Sequence, residues 1–188
     1  MSSLPLERPT RADARRNYEL LLTAARQAFL EHGSDASLEE IARRAGVGIG
    51  TLYRRFPNRQ ALLEAVYVEE IQSMCEGAKV LAELPPWDAV VAWLRDFVDF
   101  GLTKSAVASE LIQSLGKDSE FFAVCKTTIM DTATLIIARG VEAGVVRRDV
   151  QPLDVLKLVG GIAHTNNDDP AQAYRMLDVV LEGLRARH

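Results

Sequence analysis

The segment from Ser37 to Phe56, SLEEIARRAGVGIGTLYRRF, constrains the fold more than any other stretch. Ser37 and Glu40 have the spacing of a capping box at the start of a helix. Apolar residues then recur at helical spacing, and Gly46 suits the positive φ that ends many helices. A second short helix is predicted from about 48 to 56, with its apolar residues turned inward. The segment therefore predicts two short helices joined by a tight turn, a helix-turn-helix.

The net charge of −4 hides an asymmetry along the chain. Residues 1–60 contain ten arginines and seven acidic residues, a balance of +3, and the remainder carries −7. A basic N-terminal part followed by an acidic remainder fits a nucleic-acid-binding head on a body with another role. Because an acidic protein can also have a locally basic face by chance, the asymmetry supports this interpretation without deciding it.

The composition and the cysteine pattern favour a cytoplasmic protein without a cofactor. With 188 residues, 48% of them hydrophobic, the chain has length for one or two small domains. No apolar run approaches the roughly 18 residues of a membrane span, and the N-terminus lacks the apolar region of a secretory signal. Cys75 and Cys125 lie far apart, which favours a reducing compartment. No catalytic motif is present, so we expect no enzyme. The polar segment 164–169 lacks the spacing of a metal site, and a polar loop is the interpretation we favour there.

Hydrophobic periodicity predicts an all-α fold with nine helices and no strand. The predicted helices span about 14–31, 37–45, 48–56, 59–81, 87–104, 105–115, 119–143, 152–165 and 170–186. Residues 1–13 are predicted to be a disordered arm, either a solvated tail or a basic arm that follows DNA into the minor groove. The expected division is a helix-turn-helix DNA-binding domain at 14–60 and a C-terminal helical domain at 61–188.

The segment IARRAGVGIGTLYRRFPNRQALLEAV resembles the TetR family of bacterial transcriptional regulators. The resemblance rests on the AGV turn, the G-T-L-Y segment, the aromatic Phe56 and the basic Arg59 at the start of the fourth helix. It implies a homodimer that binds a near-palindromic double-stranded DNA operator and is released by a small-molecule effector. The alternative is a helical small-molecule-binding protein that acts as an activator or does not bind an operator.

The resemblance also implies roles for individual residues. Thr51 and Tyr53 match positions that contact the DNA backbone, and Arg59 matches a phosphate-binding position. Arg55 stands where a histidine is common, which adds a fixed charge. For Arg43 and Arg44, phosphate contact and plain solvation remain open alternatives. The full predicted DNA-binding set is Ser37, Gly48, Ile49, Gly50, Thr51, Tyr53, Arg54, Arg55 and Arg59.

Two further sets of residues are predicted for the body of the protein. Aromatic and sulfur-containing side chains that either line an effector pocket or belong to the core are Trp93, Phe97, Phe100, Phe121, Phe122 and Met130. The family resemblance implies that residues 61–188 form a ligand-binding and dimerisation domain, whose last two helices pair with those of a second copy. This pairing would explain the glycine pair within the eighth helix, because mid-helix glycine costs about 1 kcal/mol relative to alanine. The predicted dimer interface comprises Val155, Leu158, Val159, Gly160, Ile162, Leu177, Val180, Leu181 and Leu184.

Overall fold

The structure is a computed structural model that describes residues 9–166 and 168–186, without the side chains of 34 and 104–106. Over those residues the only β feature is an isolated antiparallel bridge between Val146 and Arg185. The all-α prediction is therefore confirmed there, with a short 3-10 turn, Gly33–Asp35, as the ninth helical element. The eight α-helices are α1 (Ala12–His32), α2 (Leu38–Arg44), α3 (Ile49–Arg55), α4 (Arg59–Leu81), α5 (Pro86–Leu115), α6 (Glu120–Glu142), α7 (Pro152–Thr165) and α8 (Pro170–Leu184).

Helix ends follow the capping residues that the sequence supplies. Asn58 Oδ1 accepts a hydrogen bond from the N–H of Ala61 at 2.8 Å, at the start of α4. Asp169 Oδ1 accepts from the N–H of Gln172 at 3.0 Å, at the start of α8. Each cap satisfies a backbone donor that has no partner within the helix.

The sequence interpretation was wrong about a helix break near residue 105. A single helix, α5, runs from Pro86 to Leu115 where two helices were predicted. The stretch from 102 to 115 contains neither glycine nor proline, so nothing in its local chemistry ends the helix.

The chain forms two compact units, and neither is a single continuous segment. Of the described residues, the N-terminal unit contains 9–69 and 106–122, and the C-terminal unit contains 70–105, 123–166 and 168–186. The predicted domain at 14–60 lies within the N-terminal unit. Of the predicted N-terminal arm, residues 1–8 lie outside the described residues, and α1 begins at Ala12.

The C-terminal unit contains one especially close approach between helices. A Cβ added at Gly101 on α5 would lie 2.5 Å from the Cβ of Ala163 on α7. Real Cβ atoms do not come so close, so Gly101 permits this packing. Among the described residues, the glycine pair of α7 has no such obstruction. A Cβ at Gly160 would meet Phe97 at an ordinary 3.8 Å, and a Cβ at Gly161 would meet no described atom within 4 Å.

The predicted dimer residues fall into two groups. Those that pack within the chain's own C-terminal unit are Val155, Val159, Ile162, Leu177, Leu181 and Leu184. They are at most 7% exposed, so a partner cannot reach them without a rearrangement. Leu158 is exposed, whereas Gly160 and Val180 are half-buried. The exposed apolar residues that the prediction omitted on the same two helices are Leu153, Met176 and Val179.

Within the described part of the chain, the helix Glu120–Glu142 is long and apolar enough to cross a membrane by length and composition alone. A core helix of a soluble protein passes the same test, so this single helix is weak evidence.

Candidate nucleic-acid interface

The first helix of the helix-turn-helix is anchored at both ends. The N–H of Glu40 donates to Ser37 Oγ at 3.1 Å, and Gly46 has a φ of 67° just after the helix. The carboxylate of Glu40 accepts from Arg43 and Arg44 at 2.7–2.8 Å, instead of reaching back to the cap. The hydrogen bonds from Arg43 and then Arg44 lower the pKa of Glu40 from 4.5 to about 2.

Both arginines of α2 are therefore held by carboxylates. Arg44 also donates from Nη1 to Glu31 Oε2 on α1 at 2.6 Å. The two alternatives considered for this pair were phosphate contact and solvation. The structure shows a third arrangement, in which ion pairs brace α2 and link it to α1.

The second helix of the motif presents one exposed face. Ile49, Gly50, Tyr53 and Arg54 are exposed, and their spacing places them together on one side of α3. Leu52 lies on the opposite side and is fully buried. Within the described residues no ion pair or hydrogen bond holds the side chain of Arg54. The face thus combines an arginine, a phenol and an apolar side chain on a helix of a size that fits the major groove.

Other predicted DNA-binding residues have more constrained positions. Gly48 is the N-cap residue of α3 and is exposed, whereas Thr51 is half-buried. The Cζ atom of Arg55 lies 4.9 Å from the ring centroid of Tyr18 on α1, a cation–π geometry. Ser37 is exposed and its hydroxyl hydrogen remains available, since its oxygen is the acceptor in the cap.

Arg59 makes contacts that the sequence did not indicate. Its Nε donates to Glu110 Oε1 at 2.6 Å, and its Nη1 donates to the carbonyl oxygen of Ala36. Its guanidinium also lies over the ring of Phe29, 5.0 Å from the centroid. The partner Glu110 is 51 positions away in sequence, so no local pattern could have identified it.

The six predicted pocket residues are divided between the two units. In the C-terminal unit, Trp93 is fully buried and stacks on Phe97 with an interplanar angle of 1° and a centroid distance of 5.7 Å. Phe100 and Met130 are half-buried members of the same unit. In the N-terminal unit, Phe121 and Phe122 pack against Tyr67, with ring centroids 6.0 and 5.7 Å from that of Tyr67.

Helices α1, α2 and α3, with the exposed face of α3, have the arrangement of a helix-turn-helix DNA-binding protein. Two family models match the chain: "Bacterial regulatory proteins, tetR family" over residues 21–66, and "Transcriptional regulator SbtR-like, C-terminal domain" over residues 85–186. The second covers more than half of the sequence. The chain belongs to the TetR family of transcriptional regulators, which are not enzymes.

Known relatives and solved structures agree with this assignment. A TetR transcriptional regulator from Streptomyces coelicolor, SCO0520, is 40% identical, with a TM-score of 0.81 over 90% of this chain and 99% of that one. A TetR regulatory protein from Mycobacterium vanbaalenii is 31% identical, with a TM-score of 0.71 over 95% of this chain and 100% of that one. The HTH-type transcriptional regulator SAR0097 from Staphylococcus aureus is 35% identical over 52% of this chain and 50% of its own. The chain thus spans about half the length of this curated relative, and it covers 45% of the HTH-type transcriptional regulator SrpR from Pseudomonas putida.

Proposed function

We propose that the protein is a repressor that binds a near-palindromic DNA duplex as a homodimer and releases it when a small molecule binds. The observation that carries the DNA-binding part is the exposed α3 face of Ile49, Gly50, Tyr53 and Arg54 in a helix-turn-helix of the TetR family. Two copies of one reading head require two half-sites related by two-fold symmetry, which makes the duplex near-palindromic. Such a protein acts in the cytoplasm, where it meets the chromosome.

Base reading is assigned chiefly to Arg54 and Ile49. An exposed arginine can donate two hydrogen bonds to the O6 and N7 atoms of a guanine, which is worth about 1–3 kcal/mol of discrimination. Ile49 offers an apolar contact to a thymine methyl group, and Gly50 lets the backbone come close. Thr51, Tyr53, Ser37, Gly48 and the half-buried Arg55 are proposed to contact the DNA backbone or to support that contact.

The DNA-binding part is tested by selecting duplexes from a random library with the purified full chain. We expect enrichment of a two-fold symmetric sequence whose binding weakens steeply with salt. Arg54→Ala should lower the preference for one base pair in each half-site, while Arg148→Ala removes the same charge from an exposed position in the other unit and should leave the preference intact. Failure to enrich any sequence would refute sequence-specific binding.

Repression is proposed because a dimer that covers a promoter excludes the polymerase. A reporter gene whose promoter carries the selected duplex provides the test. Expression should fall when the protein is produced and should recover in the Arg54→Ala variant. A rise in expression upon production of the protein would identify an activator instead.

The proposal that a small molecule binds the protein is based on Trp93 in the C-terminal unit. Its side chain is fully buried, and its indole N–H has no hydrogen-bond partner in the described part of the chain. An unsatisfied buried donor costs about 1–3 kcal/mol, so a ligand with a hydrogen-bond acceptor would gain by reaching it. A thermal-shift screen should find apolar compounds with a carbonyl group that raise Tm and release the duplex, while analogues without the carbonyl should do neither.

A further inference from the structure

Arg59 and Glu110 form a bidentate ion pair inside the N-terminal unit. Nε of Arg59 lies 2.6 Å from Glu110 Oε1, and Nη2 lies 3.1 Å from Glu110 Oε2. Both side chains are only 26% exposed. This fork geometry needs a guanidinium, and a lysine ammonium cannot reproduce it.

The remaining donors of Arg59 hold the connection between α1 and α2. Nη1 donates to the carbonyl oxygen of Ala36, and Nη2 donates to that of Gly33 at 3.3 Å. Ala36 directly precedes Ser37, the N-cap of α2. One guanidinium therefore joins four parts of the unit: the end of α1, the entry to α2, the start of α4 and the C-terminal part of α5.

We propose that Glu110 is a positioning residue for DNA binding that acts through Arg59. Glu110 compensates the charge of Arg59 and orients its guanidinium. The guanidinium then holds the backbone just before α2, and this sets the position of the helix-turn-helix. Without Glu110 the half-buried guanidinium would lose this bidentate carboxylate, and the weaker charge compensation away from water would favour its turning toward solvent. The carbonyl groups of Ala36 and Gly33 would then lose their donors. This inference rests on the proposed DNA-binding function.

A direct contact between Arg59 and a DNA phosphate, which the family resemblance implies, makes the opposite prediction. Glu110→Gln removes an acidic charge beside the arginine, and this should strengthen DNA binding if Arg59 is mainly a phosphate ligand. If Glu110 positions the head, the same variant should weaken binding. Arg59→Lys separates the roles again, since lysine keeps the charge for a phosphate but loses the fork.

The experiment measures the affinity of full-length variants for the duplex selected by the wild-type chain, by fluorescence anisotropy at several salt concentrations. We expect Glu110→Gln and Arg59→Lys each to weaken binding by about tenfold or more, since truncating one member of a shielded charge pair is costly. The dependence of log K on log salt should keep its wild-type slope. Asp118→Asn is the matched control, because Asp118 is an exposed acidic residue of the same unit. It should bind at least as well as the wild type.

A second measurement does not depend on DNA. Hydrogen exchange of the free proteins should show faster exchange of the amides at 37–41 in Glu110→Gln and Arg59→Lys than in the wild type or Asp118→Asn. Wild-type or tighter binding by Glu110→Gln, or unchanged exchange in both pair variants, would overturn the proposal. If the wild-type chain selects no duplex, the proposed DNA-binding function fails, and the exchange data still decide whether the pair holds the entry to α2.

Discussion

A substitution at Gly161, in the glycine pair of α7, tests the proposed dimer. The space around this residue in the single chain allows the effect of an added methyl group on stability to be estimated. Gly161 is exposed, and a Cβ placed there would meet no atom of the described residues within 4 Å. Gly161→Ala should therefore stabilise the isolated chain by about 0.5–1 kcal/mol, because alanine restricts the unfolded chain and favours the helix. If a partner helix packs closely on this face, the same methyl group should instead weaken self-association, since overpacking costs about 1–3 kcal/mol.

Two other glycines of the C-terminal unit provide controls. Gly77 lies within α4, and a Cβ there would also meet none of the described atoms within 4 Å, so Gly77→Ala should stabilise the chain without changing self-association. Gly101→Ala should destabilise the chain itself, because its Cβ would lie 2.5 Å from that of Ala163. For a chain of this length, 1 kcal/mol corresponds to a Tm shift of about 2–4 °C.

The assay combines analytical ultracentrifugation over a range of concentrations with thermal unfolding at a fixed low concentration. We expect Gly161→Ala to raise the Kd of the dimer by about tenfold, which corresponds to about 1.4 kcal/mol, while Gly77→Ala leaves the Kd unchanged. A Gly161→Ala variant that is more stable than the wild type and self-associates equally well would refute the argument. The glycines of α7 would then have no role in a close contact between helices of two copies.

Three further predictions concern single side chains. Ser37→Ala should lower the stability by about 1 kcal/mol, since it removes the 3.1 Å cap of α2, and Ser37→Asn should restore it, as thermal unfolding can show. The hydrogen bonds from Arg43 and Arg44 lower the pKa of Glu40 to about 2, so the stabilisation they give is present above the ordinary pKa of 4.5 and is lost as the pH falls toward 2. The Tm difference between wild type and Glu40→Gln should accordingly shrink over that range, and a constant difference would contradict the assignment. Burial raises the pKa of Cys125 to about 12, so in a Cys75→Ser background this thiol should react with a disulfide reagent at pH 8 far more slowly in native than in unfolded protein.

Local chemistry explains why much of the fold could be predicted. The caps at Ser37, Asn58 and Asp169 and the positive φ at Gly46 depend on residues within a few positions of one another. The exposed face of α3 can be predicted in the same way, because the apolar Leu52 identifies the buried side of this short helix. The break predicted near 105 is absent, because the stretch from 102 to 115 contains no glycine or proline that would end the helix.

The contacts of individual arginines could not be predicted from the sequence. Arg54 and Arg55 are adjacent in the motif, yet one is exposed and the other lies over the ring of Tyr18. Arg59 is engaged by Glu110, far away in the sequence. A basic residue in a DNA-binding motif therefore has several possible partners, and only the tertiary structure shows which of them are within reach.

The last two helices pose the same problem for apolar residues. Periodicity groups Val155, Leu158, Val159 and Ile162 as one stripe of α7, and the structure packs all of them except Leu158 within the chain. Leu158 lies at the edge of that stripe and is exposed, and Val179 is exposed on α8. Periodicity identifies an apolar stripe, but it does not show which members face the chain's own core and which face outward. We therefore expect a partner copy to contact Leu158, Gly161 and Val179, and substitutions there, more than at the buried Val155, should separate self-association from folding.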